Sequence, residues 1–153
     1  MRPLKTFEEF LRLGIVRKRT PDIARAKSLI EEAEKRKKFL EEVRLKIRLN
    51  NENANYFVES SYDILIEIIR AKLLVDGFNA SGIGAHEAEI SYIKKLSFSE
   101  KEIRFMNDLR YFRKGILYYG KHFDAEYSKK VLDFLNRIYP KLKELNYARK
   151  NHF

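Results

Sequence analysis

Cysteine and tryptophan are absent from this chain of 153 residues, and proline (3) and glycine (6) are scarce. Without cysteine there are no disulfides, thiolate metal sites or cysteine nucleophiles, so stability rests on packing. No uncharged apolar run approaches the roughly 18–20 residues that a membrane span requires. The opening MRPLKTFEEF lacks the apolar stretch of a signal peptide, and a cytoplasmic location without membrane attachment is expected. Histidine is also rare. His86, His122 and His152 are dispersed and none belongs to a Glu-x-x-His pair, so neither a zinc nor a di-iron site is expected. No glycine-rich loop leads into Lys-Ser or Lys-Thr, and Gly82-Ile83-Gly84 is only a two-glycine loop. No bound metal or cofactor is therefore expected.

Lysine and arginine are abundant and unevenly placed. Residues 1–50 hold 15 basic and 8 acidic side chains, net +7; residues 51–100 hold 4 and 8, net −4; residues 101–153 hold 13 and 6, net +7. Basic ends around an acidic middle suit helix–helix contacts, and they also suit a basic surface for polyanions. A chain 44% hydrophobic and 35% charged is globular in type, and its length fits one domain.

Apolar residues recur at helical spacing, with almost no strand signal. A short helix is expected over Thr6–Leu13, ending at Gly14, followed by a basic connector Ile15–Arg19. Residues 1–19 thus precede a bundle over 20–153. Thr20 as N-cap and Pro21 at the first helical position open a long helix to about Leu49, with Ile23, Ala26, Ile30, Ala33, Lys37 and Leu40 on one side. Pairs Glu31–Lys35 and Glu34–Lys38 suit its solvated face. The most apolar helix, about Ala54 to Asp76, carries Phe57, Leu65, Ile66, Ile68, Ile69, Leu73 and Leu74 over a wide arc, which places it at the bundle centre. Gly77 ends it. A third helix is expected from Ala85 to Leu96. Ser99 with Glu102 forms a capping box for a fourth, ended by Gly120. Asp124 caps a fifth to about Leu145, with Pro140 expected to kink or restart it. The fold expected is all-α, a single-domain up-and-down antiparallel bundle of about five helices.

On the fourth helix, Phe105, Leu109, Phe112, Ile116 and Tyr119 form one stripe, read as core. Arg113 sits at its edge, as a snorkelling surface residue or as a partly buried anion-binding group. Arg110 and Lys114 lie further round, and Lys121 follows the helix. Tyr111 and Tyr118 share another face, where aromatics among bases can stack nucleobases or form half of a dimer interface. His86, at the start of the third helix, either closes a loop or joins the site beside Arg113. Glu59, Asp63 and Glu67, one turn apart, suit pairing with basic neighbours such as Arg113 or Arg110.

The order of these parts, YDILIEIIRAKLLVDG, then GIGAHEAEISYIKKL, then LRYFRKGILYYGKHF, resembles the HEPN family (higher eukaryotes and prokaryotes nucleotide-binding) of small helical domains, which includes ribonucleases. The run Ala26-Lys27-Ser28-Leu29 and the ending Arg113-Lys114-x-x-x-Tyr118-Tyr119-Gly120 resemble one archaeal branch. The family's catalytic motif is an Arg, four to six residues, then a His; here Tyr118 stands where the motif has His. The resemblance implies a homodimer that binds RNA or a nucleotide through Arg110, Arg113, Lys114, Tyr111, Tyr118 and Lys121. The Arg role, stabilising phosphate charge, carries onto Arg113, whereas the His role does not carry onto Tyr118, because a phenol with a pKa of about 10 is a poor base near neutral pH. Two alternatives follow from the same resemblance. One is a metal-independent, toxin-type endoribonuclease whose chemistry is completed by His86 or Tyr118. The other is a protein partner of a minimal nucleotidyltransferase; in the toxin branch that enzyme modifies a Tyr two residues after the His, and here that position is Gly120.

Overall fold

The structure is a computed structural model that describes residues 3–150, the side chains of residues 117, 118 and 147–150 excepted. His152 and the side chain of Tyr118 therefore lie outside the described residues. The chain forms α1 (Phe7–Arg12), β1 (Val16–Lys18), α2 (Ile23–Lys46), α3 (Ala54–Val75), β2 (Phe78–Ala80), α4 (Ala85–Tyr92) with a 3-10 turn Ile93–Lys95, α5 (Glu100–Tyr119) and α6 (Ala125–Lys150). This is an all-α bundle carrying one small ribbon. No described helix is long and apolar enough to cross a membrane.

The centre is α3. Sixteen of its 22 residues are buried, so it must be covered on several sides. Its neighbours in the core are Leu40 of α2, Ile90 of α4, Met106 and Leu109 of α5, and Leu135 and Leu142 of α6. A smaller cluster closes the other end, where Ala26 and Ile30 of α2 meet Ala71, Leu74 and Val75. Side-chain bonds reinforce the packing: Tyr139 donates to Glu34 at 2.8 Å, and Asn146 Nδ2 donates to the Ile68 carbonyl at 3.3 Å.

Several boundaries differ from the sequence expectation. The N-cap of α2 is Asp22, whose Oδ1 accepts the Arg25 N–H at 3.0 Å. The cause is tertiary. Arg19 N–H donates to the Gly77 carbonyl at 2.8 Å and Asp22 N–H to Leu74 at 3.0 Å, drawing residues 19–22 against the end of α3. Thr20 and Pro21 thus stay outside the helix. The helix ends at Lys46, before an Asn-built turn in which Asn50 Oδ1 accepts the N–H groups of Glu52 and Asn53. The basic connector is a strand: Val16, Arg17 and Lys18 pair antiparallel with Ala80, Asn79 and Phe78. Three residues are too few for an alternating pattern to register. The ion pairs on α2 also differ. Glu34 meets Lys143 of α6 at 2.5 Å and Arg36 meets Glu67 of α3 at 3.3 Å, while the one-turn pairs within the helix are Glu32–Arg36 at 3.6 Å and Lys37–Glu41 at 2.5 Å.

The capping box at Ser99 and Glu102 opens α5, and Gly120 ends it with φ of 61°. Of the expected stripe, Leu109 is buried and Phe105 and Ile116 are partly buried against the core, which Ile103 and Met106 also join. Tyr119, at the end of the helix, is 81% exposed. Phe112 leaves the expected stripe to pack with Phe123 and Tyr127, at ring distances of 5.2 and 5.6 Å. Asp124 caps α6, accepting the Tyr127 N–H at 2.8 Å. The helix continues unbroken through Pro140. Pro140 and Asn136 are both exposed, so the carbonyl that Pro140 leaves without a donor lies on the solvent side.

Candidate functional site

A cleft of about 320 Å³ opens where the middle of α3, the start of α4 and the second half of α5 converge. Tyr62 and Asp63 come from α3, Gly82 and Gly84 from the preceding loop, Ala85, His86 and Glu87 from α4, and Arg110, Arg113 and Lys114 from α5. The loop is shaped by glycine at Gly84, which has φ of 90° and whose added Cβ would meet Ile15 Cδ1 at 3.4 Å. As the N-cap of α4, Gly84 offers no side chain to the first amides of that helix.

His86 sits on the α4 wall. Its Nδ1 lies 2.9 Å from the Tyr62 hydroxyl and its Nε2 lies 3.4 Å from Arg70 Nη2. A guanidinium only donates, so Nε2 is the acceptor; Nδ1 therefore carries the proton and donates to Tyr62. One side of the ring is open to water and the other is packed on the protein. Loss of hydration on the packed side, then the Arg70 charge, hold the imidazole below its ordinary pKa. Burial pushes the Tyr62 phenol well above its ordinary value, so it stays a neutral hydrogen-bonding group.

Behind His86, Arg70 grips Glu89 with two bonds, Nε to Oε2 at 2.6 Å and Nη2 to Oε1 at 3.1 Å. Glu89 is 1% exposed. Burial raises its carboxyl, and Arg70 opposes the rise. Both oxygens accept from a donor-only group, so the ion pair is the state that fits the geometry.

Arg113 is held differently. Its side chain is 17% exposed; Nε stands 3.5 Å from Asp63 Oδ1, Nη1 4.0 Å from Glu59, and Nη2 donates to Asp63 Oδ2 at 3.5 Å. Buried Nε and Nη1 find no hydrogen-bond partner among the described residues. The acidic residues Glu59 and Asp63 thus pair with Arg113, while Glu67 pairs with Arg36. Arg110 is steadied by Asn107, whose Oδ1 accepts from Nε at 3.1 Å. Lys114 is exposed on the rim.

The structure gathers His86, Arg110, Arg113 and Lys114 around one cleft. It leaves Tyr111 and Lys121 out of the lining. Tyr111 is half exposed beside Phe112, and Lys121 lies over the Phe112 and Phe123 rings at 4.8 and 5.5 Å. His122 is exposed in the link to α6. The residues that sequence reasoning missed are Tyr62, Arg70 and Glu89. A signal existed: Arg70 interrupts an apolar run two turns after Tyr62, and Glu89 lies one turn after His86. Among the described residues no group of three His, Cys, Asp or Glu could hold a metal ion.

A second hollow of about 360 Å³ lies between α2 and α3 around Phe39, Val43, Ile47 and Tyr56. Its walls are mainly apolar, with Arg36 and Asp63 at the margin, and it lacks the convergent polar groups of the His86 cleft. The chain matches no protein-family model, no curated protein and no solved structure.

Proposed function

We propose that the chain binds phosphates of RNA or of a nucleotide in the cleft between α3, α4 and α5, as a HEPN-like protein. One observation carries this reading: Arg113 lines the cleft with two buried guanidinium nitrogens that make no hydrogen bond. Buried donors left unbonded cost about 1–3 kcal/mol, so their presence at a cleft calls for a reason. A phosphate could offer charge-assisted contacts of about 2.7–2.9 Å, closer than the present carboxylates do. Arg110 and Lys114 add positive charge and the uncapped start of α4 adds amide donors. Asp63 and Glu87 oppose an anion from the same lining, so a ligand must draw Arg113 away from Asp63. The volume suits a nucleotide-sized group.

The expected homodimer and cytoplasmic location belong to the same reading. Tyr111 and Tyr119 leave an exposed aromatic face on α5 that suits a second copy. Light scattering should then report about twice the 18.3 kDa chain mass; a monomer at micromolar concentration removes the dimer and leaves the cleft intact. A nucleotidyltransferase partner has no feature of the cleft in its favour.

A second reading, metal-independent RNA cleavage, is favoured by His86. This neutral imidazole lines the same cleft as Arg113 and, once Nε2 gives up its long 3.4 Å contact with Arg70, could take the proton of a 2′-hydroxyl while Arg113 stabilises the charge on phosphorus. One experiment separates the readings. Labelled single-stranded RNA is titrated over a range of salt, and is also incubated with the protein with and without EDTA. Binding that weakens with salt, with a slope flattened by about 0.7 in Arg113→Ala, supports the phosphate site. Absence of binding at low salt removes it. Cleavage that persists in EDTA and is lost in both Arg113→Ala and His86→Asn selects the ribonuclease.

A further inference from the structure

The ribbon and the start of α2 form a second basic hollow, of about 360 Å³, on the other side of the segment that connects β2 to α4. Arg19, Arg25 and Asn79 line it. Strand geometry adds a third arginine. Arg17 stands directly opposite Asn79 in the antiparallel register, so the two side chains share one face of the ribbon. On the opposite face Val16 is buried and Phe78 packs on Phe7 at 5.1 Å between rings, while Phe78 also lines the hollow with Leu74. Arg17, Arg19 and Arg25 are all exposed. One carboxylate, Asp22, lies in the hollow, and it is committed to capping the Arg25 amide.

This hollow and the His86 cleft are joined by a short length of chain. Asn79 lines the first and Gly82 lines the second, three residues of chain apart, or roughly 10 Å if extended. The Ser81 N–H donates to the Ile15 carbonyl at 3.0 Å, which fixes the ribbon beside the cleft loop. Arg25 is close enough for its charge to act on Glu89, the carboxylate that Arg70 grips behind His86. The fold therefore brings together basic groups from the two ends of the sequence, Arg17, Arg19 and Arg25 from the first third and Arg110, Arg113 and Lys114 from the last. A mononucleotide fills one hollow; a chain of phosphates can use both.

We infer that Arg17, Arg19 and Arg25 form a second phosphate-binding subsite, so that the ligand is a single-stranded oligonucleotide laid across the β2–α4 link from this hollow into the cleft. This inference rests on the phosphate-binding reading of the cleft and goes beyond it in naming the ligand's form and path. A single strand fits because its backbone can bend over the link and place successive phosphates in two separate hollows, which a rigid duplex does less readily.

The test compares a dinucleotide with a twelve-residue oligouridylate, by fluorescence anisotropy over a range of salt. Proteins are the wild type, Arg113→Ala, the double variant Arg19→Ala/Arg25→Ala, Arg17→Ala, and a control double variant, Lys35→Ala/Lys38→Ala. The control lysines are exposed on α2, roughly 15 Å or more along the helix from Arg25. The expected result is that the wild type binds the longer strand at least tenfold more tightly than the dinucleotide. The arginine double variant loses about tenfold for the longer strand, its salt slope falls by about 1.4, and its dinucleotide affinity is unchanged. Arg17→Ala shows a smaller loss of the same kind, and Arg113→Ala weakens both ligands. If the wild type binds the dinucleotide but gains nothing from length, or if the control variant loses as much as the arginine variant, the subsite is overturned while the cleft stands. If the wild type binds neither ligand, the cleft reading fails and the subsite with it.

Discussion

Two arginines next to the same histidine-lined cleft are held in opposite ways. Arg70 gives two short, well-directed bonds to a carboxylate that is fully out of water. Arg113 faces two carboxylates at 3.5–4.0 Å and leaves two nitrogens without a hydrogen bond. The first arrangement is closed on the protein side, because Nε and Nη2 already have acceptors in Glu89 and His86; the second is open. The difference teaches that burial of an arginine does not by itself mark a site. What marks one is burial with donor capacity left over, at the edge of a space a ligand can enter. Arg70 thus belongs to the scaffold that fixes His86, and on the proposed reading Arg113 belongs to the group that meets the ligand.

The contrast breaks most readily at the closed corner. Replacing Glu89 by alanine strands the Arg70 charge, and a loss of about 3–5 kcal/mol in urea unfolding is expected. That is comparable with the roughly 2–5 kcal/mol expected for Leu65→Ala or Ile69→Ala in the buried centre of α3. A loss under about 1 kcal/mol for Glu89→Ala would show that the pair is not structural. At the open corner the two quantities should separate. Arg113→Ala is expected to change stability by less than about 1 kcal/mol, since it also removes unbonded donors. It should nevertheless weaken single-stranded RNA binding by roughly ten- to a hundredfold, about 1.4–2.7 kcal/mol.

His86 lies between the corners and sharpens the comparison through pH. Its folded-state pKa is lowered, so between that value and the ordinary 6.5 or so the unfolded chain binds more protons than the folded one. Stability should fall as pH drops through that window, and the penalty is complete below the folded value. Arg70, Arg110 and Arg113 resist protonation while Asp63 favours it. The expected result is a decline between about pH 7 and pH 5 that is shallower in His86→Asn; equal slopes would show that His86 does not carry the linkage. The smallest effects should come from residues outside the cleft. Tyr111→Ala and Lys121→Ala should alter RNA affinity less than about twofold, well below the tenfold that 1.4 kcal/mol represents. A larger loss would move the ligand toward the aromatic face of α5.

Much of the fold was legible because it depends on local rules. The caps at Ser99 and Asp124, the glycine stops at Gly14, Gly77 and Gly120, and the wide apolar arc of α3 each act within a few residues. The delayed start of α2 was not legible, because the carbonyls of Leu74 and Gly77, more than 50 positions away, claim the amides of Asp22 and Arg19. The ribbon was hidden for a similar reason: Val16–Lys18 is a strand only because Phe78–Ala80 is beside it. At the site, residue types pointed to Arg113 and to His86, yet the expected stacking face of Tyr111 lies outside the cleft. The helix period ranks residues by angle and says nothing of where along α5 the core ends. Ile116 still packs against the core, Tyr119 lies in water, and Arg110, Arg113 and Lys114 line the cleft from the same half of the helix.

Side-chain NMR reads directly whether Arg113 is open and Arg70 closed. The Nε–Hε resonances of the two arginines are followed in labelled protein as single-stranded oligouridylate is added, with assignments from Arg70→Lys and Arg113→Lys. The account predicts an Arg70 Hε that is protected from exchange at the outset and unmoved by ligand, and an Arg113 Hε that shifts progressively and saturates with binding. An Arg113 resonance that stays still while oligonucleotide binds, or an Arg70 resonance that moves in its place, would contradict it.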